Sequence, residues 1–263
     1  MTERVFVLGA GRAGRGLARA LRAGGVDVVG VHGRHTGDLE DRVTIGALPN
    51  TIADATTVLV TVRDAQLDAA LRELAKAPLR ADAAVLHASG SADPPALAAL
   101  RSRGHAAGTF HPLVPLADPA RAPALLRDAW IGVDGDDAAR ARGRALAAAL
   151  GAHTLDIPAG RKPLYHAAAV LVSNFPPVLL ALGERAMAEA GIPRDLARRA
   201  LLPLWTAAAE NARAATFPAS LTGPAVRGDD ETVRANMYAL ADDPTARDVY
   251  RVMTETIRVM TGT

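Results

Sequence analysis

The chain has no cysteine among its 263 residues. Disulfides, thiolate nucleophiles and the usual zinc-finger ligand sets are therefore excluded, and no metal site is read from the sequence. Aromatic residues are scarce, at 3%, which argues against stacking platforms for single-stranded nucleic acid. Charge of one sign is also lacking: 30 Lys and Arg against 28 Asp and Glu leave +2, so no nucleic acid is expected as a partner. Purely apolar runs stop at about six residues, against the ~18 of a membrane span. Met1-Thr2-Glu3-Arg4 leads into only about five apolar residues, short of the ~7 to 15 of a signal-peptide core. No membrane partner is expected, and a cytoplasmic location is.

What is present fits a packed globular chain, with 49% hydrophobic and 22% charged residues, one large or two ordinary domains in size. From residue 1 to about 157, short β-branched runs alternate with Ala/Leu/Arg helical patterns, the rhythm of a parallel sheet covered by helices. The expected strands are Val5 to Leu8, Val26 to His32, Val58 to Val62, Ala83 to His87, Ala106 to Phe110, Trp130 to Val133 and Thr154 to Ile157. From Pro163 the β-rich runs cease. Helices are expected from Pro163 to about Ala190, Arg194 to about Ala215, Asp230 to about Leu240 and Pro244 to about Met260, with Gly191 and Pro193 ending the first. A boundary near residue 158 follows: residues 1–157 as an α/β domain with a doubly wound parallel sheet, and 158–263 as an all-α domain.

Gly9-Ala10-Gly11-Arg12-Ala13-Gly14 follows the first strand directly and opens a helix. In such a turn the first glycine permits the tight bend, the second lets backbone amides approach a pyrophosphate, and the third lets helix and strand pack closely; the helix N-terminus adds partial positive charge. The alternative is a glycine-rich turn with no ligand. The end of the second strand then selects the dinucleotide. Where an NAD site carries Asp or Glu for the ribose hydroxyls, this chain reads His32-Gly33-Arg34-His35-Thr36, with no carboxylate before Asp38. Arg34 can grip a 2′-phosphate bidentately, with His35 or Thr36 adding hydrogen bonds. NADP is favoured over NAD, unless Arg34 is one more surface arginine.

Val62, ending its strand, and His87-Ala88-Ser89 lie where carboxyl ends of strands face a cofactor crevice. His87 and Ser89 either touch substrate or cap strand ends. Phe110-His111-Pro112-Leu113-Val114-Pro115 presents a second histidine on a backbone stiffened by two prolines, again as a binding group or as a satisfied structural histidine. The chemistry is expected where the two patterns meet. Only Lys76 and Lys162 occur among the 30 basic residues, and an ammonium can donate a proton where a guanidinium cannot. At ~100° per residue, His166 and Ser173 fall about 40° and 20° from Lys162 around a helix. Pro176 and Pro177 remove amides that would bond the preceding turn, so a kink or break is expected beside Ser173 and Asn174, serving a site or only packing. Between later helices, Thr222-Gly223-Pro224 and Arg227-Gly228-Asp229 offer an arginine for a substrate carboxylate or, alternatively, an exposed salt bridge.

On Gly9 to Gly14, His87 to Ser91, Phe110 to Leu113, Lys162-Pro163-Leu164-Tyr165-His166-Ala167-Ala168-Ala169 with Ser173-Asn174, and Leu221 to Pro224 with Arg227-Gly228-Asp229, the chain resembles the Rossmann-like NADP oxidoreductases with a C-terminal helical domain of unknown function. These are relatives of the pyrroline-5-carboxylate reductases and of the 6-phosphogluconate and β-hydroxyacid dehydrogenases. The resemblance spans essentially the whole chain. It implies NADP(H) on residues 9–14, Arg34, His35, Thr36 and Val62, and a homodimer through the C-terminal helices. The dehydrogenase relatives carry a lysine and, four residues on, an asparagine; here His166 stands in the asparagine's place. The expectation is an NADPH-dependent oxidoreductase moving hydride to or from a C=O or C=N carbon of a small metabolite. Lys162 would be the proton donor, His166 its relay, and His87, Ser89, His111, Ser173, Asn174, Thr222 and Arg227 the substrate contacts. The alternatives are a sensor that binds NADP without turnover and an imine reductase resembling pyrroline-5-carboxylate reductase.

Overall fold

The computed structural model of the chain describes residues 3–36 and 41–262; Asp38, which bore on the choice of dinucleotide, lies outside them. The chain divides into two compact units, Met1–Ser173 and Asn174–Thr263.

The first unit opens with β1 (Arg4–Leu8), α1 (Arg12–Ala23), β2 (Asp27–His32), β3 (Val43–Thr44), β4 (Thr57–Val60), α2 (Asp64–Leu74), β5 (Ala84–His87) and α3 (Ala96–Ser102). It continues with β6 (Ala106–Pro112), α4 (Ala122–Leu126), β7 (Trp130–Gly135), α5 (Asp137–Ala149), β8 (His153–Asp156) and α6 (Lys162–Ser173). The eight strands form one sheet in the order β3-β2-β1-β4-β5-β6-β7-β8. From β1 the chain winds outward through β2 to β3, then returns to β4 on the other side. The strand order therefore reverses between β1 and β4, which in open α/β sheets is where the crevice forms.

Both faces of the sheet are covered. Val5 and Val7 of β1 enter one core with Leu17, Leu21, Phe110 and Leu146, while Phe6 between them enters the other with Leu67, Leu71, Val85 and Leu97. This is the period-2 signature of a strand buried on two sides. The sheet is parallel as expected except between β6 and β7, which pair antiparallel. The amide of Leu113 donates to the Trp130 carbonyl at 2.8 Å, so the chain re-enters the sheet beside the point where it left, and an antiparallel pair needs no crossover. The two-residue strand β3 is too short to leave a periodic trace in the sequence.

The second unit is helical: α7 (Phe175–Glu189), α8 (Arg194–Ala214), α9 (Pro224–Arg227), α10 (Asp230–Ala239) and α11 (Pro244–Thr261). Its boundaries follow the local chemistry. Gly191 at φ +86° takes the left-handed conformation that ends a helix. Asp229 and Asp243 cap α10 and α11 by accepting from the Thr232 and Ala246 amides. The expected interruption falls at Asn174, between α6 and α7. Few side chains here are buried. Val252, Met253, Val259 and Met260 of α11 are exposed, Val259 to 84%, and a groove of about 420 Å³ between α7 and α11 is lined by Leu179, Leu182, Val249, Met253 and Ile257.

By length and composition alone, Lys162–Glu189 holds an 18-residue window of mean hydropathy 1.5, with none of that window buried; isolated Ser, Asn, Gly and Pro break its purely apolar runs, and Asn174 interrupts the helix within it.

Candidate functional site

The glycine turn lies at the carboxyl end of β1, at the reversal of strand order. Gly9 is at φ +118°, a conformation open mainly to glycine, and its amide donates to the His32 carbonyl at 2.8 Å. A Cβ on Gly14 would overlap the Gly9 carbonyl oxygen, whereas one on Gly11 would meet nothing within 4 Å. One glycine thus serves contact between helix and strand, and the other keeps the outer side of the turn open. Thr61, just past β4, donates from Oγ1 to the Gly9 carbonyl at 2.7 Å and locks the turn across the switch point; sequence reasoning missed it. Gly11 caps α1 with no side-chain hydrogen bond, and the first turn, beginning at Arg12 and Ala13, has no acidic residue. An anion near those amides would meet neither a competing cap nor a repelling carboxylate.

Ala10 packs against Gly33, where a Cβ would come within 2.6 Å of the Ala10 Cβ. Beyond Gly33, the side chains of Arg34, His35 and Thr36 are exposed. With its amide oriented to accept, Gln66 of α2 takes hydrogen bonds from Arg34 Nη1 and Nη2, both at 2.9 Å. Val62 is half-buried against the core beneath α2. Fully buried Asp41 accepts from Arg19 Nε at 2.7 Å and Arg15 Nη1 at 3.4 Å, tying the segment after β2 to α1. The described residues of the turn, the arginine and the uncapped helix end fit a phosphorylated dinucleotide.

A second group of polar residues sits further along the same sheet. Strand register aligns His87 of β5, Thr109 of β6 and Asp134 of β7 in one row, with His111 and Gly132 two residues on. Side chains two apart share a face, and this is the face holding Val85 and Ala107. His87 is fully buried and its Nε2 lies 3.2 Å from Thr109 Oγ1. Burial first, and the neighbouring Lys162 ammonium second, hold its pKa down at about 4. Its Nδ1 is buried without a hydrogen-bond partner, as is Nδ1 of His166. Ser89 accepts at Oγ from the Ala92 amide at 3.1 Å, which is the turn-capping alternative.

Helix α6 supplies the rest. Lys162 is 2% exposed; its ammonium donates to Asp93 Oδ1 at 2.6 Å and to the Ala92 carbonyl at 3.3 Å, and pairs with Asp134 Oδ2 at 3.1 Å. All three N–H bonds of the expected proton donor are committed to protein acceptors. One turn on, the Tyr165 hydroxyl lies 2.8 Å from His111 Nδ1, with the two rings edge to face at 5.5 Å. His166 packs against the same imidazole at 5.9 Å between ring centres. Burial and then nearby His166 lower the His111 pKa to about 4, and burial raises that of Tyr165 to about 12.

His87, His111, Lys162 and His166 therefore come together, with Asp93, Asp134 and Tyr165 added by the structure. The signal for Asp134 and Thr109 was polar residues alternating within otherwise apolar strands; Tyr165 had none beyond its closeness to Lys162. Ser173 does not join the cluster. It shares the angular position of Lys162, but eleven residues at 1.5 Å place it about 16 Å along the helix, where it is exposed and donates to the Ala169 carbonyl at 2.7 Å. Asn174 ends up between the helices, and Thr222 and Arg227, both exposed, belong to the second unit. Asp229 accepts from Thr232, so its carboxylate is used as a cap.

Residues 129–257 match a family model described as a domain of unknown function. The match is to DUF2520. No curated protein matches the chain by sequence. Among solved structures, a Bacteroides fragilis protein assigned as an NADP oxidoreductase is 21% identical, covers 98% of both chains and superposes with a TM-score of 0.78. The Plasmodium falciparum pyrroline carboxylate reductase, solved with NADP bound, is 11% identical over 98% of both chains at a TM-score of 0.64. A Streptomyces aurantiacus imine reductase is 17% identical over 98% of this chain and 94% of its own, at 0.61. At these identities the likeness establishes the fold alone, that of the pyrroline-carboxylate and imine reductases, and the DUF2520 match covers residues 129–257.

Proposed function

We propose that the protein is an NADP(H)-dependent oxidoreductase acting on a C=O or C=N carbon of a small metabolite. The observation that carries this reading is the start of α1: an uncapped helix end without acidic residues, opened by Gly11 and locked across the switch point by Thr61. Gly9 to Gly14 would hold the pyrophosphate, and Arg34, with His35 and Thr36, the 2′-phosphate. The bound nicotinamide would supply hydride chemistry, which no side chain of this protein offers. The chain's own task is to orient the substrate, exclude water and move a proton, and His87, His111, Tyr165 and His166 are the groups gathered for it. Lys162, paired to Asp93 and Asp134, contributes a fixed charge. The cytoplasmic location expected from the sequence belongs to this reading.

A homodimer through the C-terminal helices completes it. Leu171 and Val172 of α6 and Val252, Met253, Val259 and Met260 of α11 are exposed in the single chain, and apolar surface of this kind favours a partner. We assign the exposed apolar residues of α7, Phe175, Val178 and Leu179 among them, to the same role rather than to a lipid bilayer.

A second reading, a sensor that holds NADP without turnover, draws on the commitment of every Lys162 N–H to protein acceptors. Two measurements test the proposal. Calorimetry should show NADPH binding at least tenfold tighter than NADH, and heat with neither coenzyme refutes it. Absorbance of NADPH against a panel of keto acids, aldehydes and cyclic imines should then decline with at least one compound. Tight binding with no oxidation by any of them favours the sensor, and a preference for cyclic imines favours the imine reductase.

A further inference from the structure

We infer that Tyr165, held by His111, is the proton donor of this site, and that Lys162 acts as a positioning residue behind it. The inference rests on the oxidoreductase reading above.

Access comes first. The Lys162 ammonium is sealed at 2% exposure with its three acceptors in place. To protonate a substrate it would have to leave two carboxylates. Tyr165 and His111 are half-buried, so their edges remain reachable. The backbone is also shaped around this pair. A Cβ on Gly132 would overlap the Tyr165 hydroxyl, and one on Gly90 would come within 2.6 to 2.8 Å of three atoms of the His111 ring. Gly132 within β7 and Gly90 in the loop after β5 thus sit where any side chain would displace the phenol or the imidazole. In this arrangement β6 presents His111 to the phenol, and Lys162, one turn earlier on α6, anchors that helix to β7 through Asp134.

The protonation states suit the role. Burial keeps the phenol protonated, with a pKa of about 12, and keeps His111 neutral down to about 4. A neutral imidazole in the Nδ1–H form donates to the phenol oxygen and leaves the phenolic proton directed elsewhere. In the reductive direction the carbon of the C=O or C=N bond gains hydride from a reduced nicotinamide, and the π electron pair moves to oxygen or nitrogen. That atom takes the Tyr165 proton. The phenolate regains one from His111 Nδ1 as Nε2 takes a proton from water, so the net proton comes from solvent. Oxidation runs the same transfers backwards.

The test uses the full chain and has a readout that needs no turnover. In ¹⁵N-resolved NMR of the histidine rings, His111 should stay neutral from pH 8 to pH 5, and Tyr165→Phe should shift the His111 ring nitrogens while leaving those of His105 unmoved. A His111 that titrates normally and ignores Tyr165→Phe overturns the inference. By calorimetry, Tyr165→Phe should bind NADPH within threefold of wild type; a larger loss assigns the tyrosine to coenzyme binding and overturns its donor role. With the compound that wild type reduces, Tyr165→Phe should lower kcat by about 100-fold or more, as removal of a general acid does, with KM for NADPH unchanged. His111→Asn, which keeps an N–H near Nδ1, should retain more activity than His111→Ala. A Tyr165→Phe variant that is folded, judged by its urea midpoint, and as active as wild type sinks the donor role alone. If wild type binds no NADPH, or reduces nothing in the panel, the oxidoreductase reading falls and takes the donor role with it.

Discussion

Lys162→Met is the substitution whose energetic consequence can be worked most directly from the structure. Methionine preserves most of the buried aliphatic stem and removes the charge, leaving Asp93 and Asp134 without their shared cation. Breaking a buried ion pair from one side costs about 3–5 kcal/mol when the remaining charge stays buried. The two carboxylates differ in this respect. Asp93, with 60% of its side chain exposed, rehydrates and contributes little, whereas Asp134, at 20%, remains largely out of water. A loss of about 2–3 kcal/mol is expected, most of it from Asp134. At ~2–4 °C per kcal/mol for a domain of this size, the melting midpoint should fall by roughly 4 to 12 °C. Urea denaturation of Lys162→Met, Asp134→Asn and the double variant measures it. Neutralising Asp134 in the Lys162→Met background should restore about 1 kcal/mol or more, the coupling expected of contacting charges. A loss below about 0.5 kcal/mol, or a double variant no more stable than Lys162→Met, would refute the assignment of Lys162 as a buried anchor.

Stability should also fall in acid. His87 has its pKa lowered from 6.5 to about 4 in the fold, so the unfolded chain binds the additional proton as pH drops below 6.5; the stability is fully present above that value and is lost as pH falls toward 4. Between pH 7.5 and 5 this amounts to about 2 kcal/mol. Urea midpoints in wild type and His87→Leu across that range measure it, and equal slopes would remove His87 as the cause. Arg34→Glu should weaken NADPH by about 10- to 100-fold through loss of a charge-assisted contact while sparing NADH; calorimetric titrations showing equal losses for both coenzymes would exclude Arg34 from the 2′-phosphate. Sedimentation should find a dimer for wild type and a monomer for Val259→Glu, and a monomeric wild type would contradict the assembly proposed for the helical unit.

The order of the longer elements was legible from local pattern. Val5 to Leu8, then glycines, then an Ala/Leu/Arg helix, sets a strand–turn–helix through steric rules that act within a few residues, and the uncapped start of α1 is part of the same local code. The helix end at Gly191 was legible for the same reason: a positive φ is a property of one position and its neighbours. The antiparallel β6–β7 pairing was not legible, since the direction of β7 depends on where Leu113 and Trp130 meet. The site divides in the same way. Lys162, His166, His87 and His111 stood out as residue types, but their grouping with Asp93, Asp134 and Tyr165 arises from strand register and from the placement of α6 on the sheet. Helical angle correctly put Ser173 in line with Lys162 and said nothing of the three turns between them. Tertiary packing likewise decided that the ammonium is sealed between two carboxylates while the neighbouring phenol stays within reach, because burial and pairing are set by contacts distant in sequence, which no local pattern encodes.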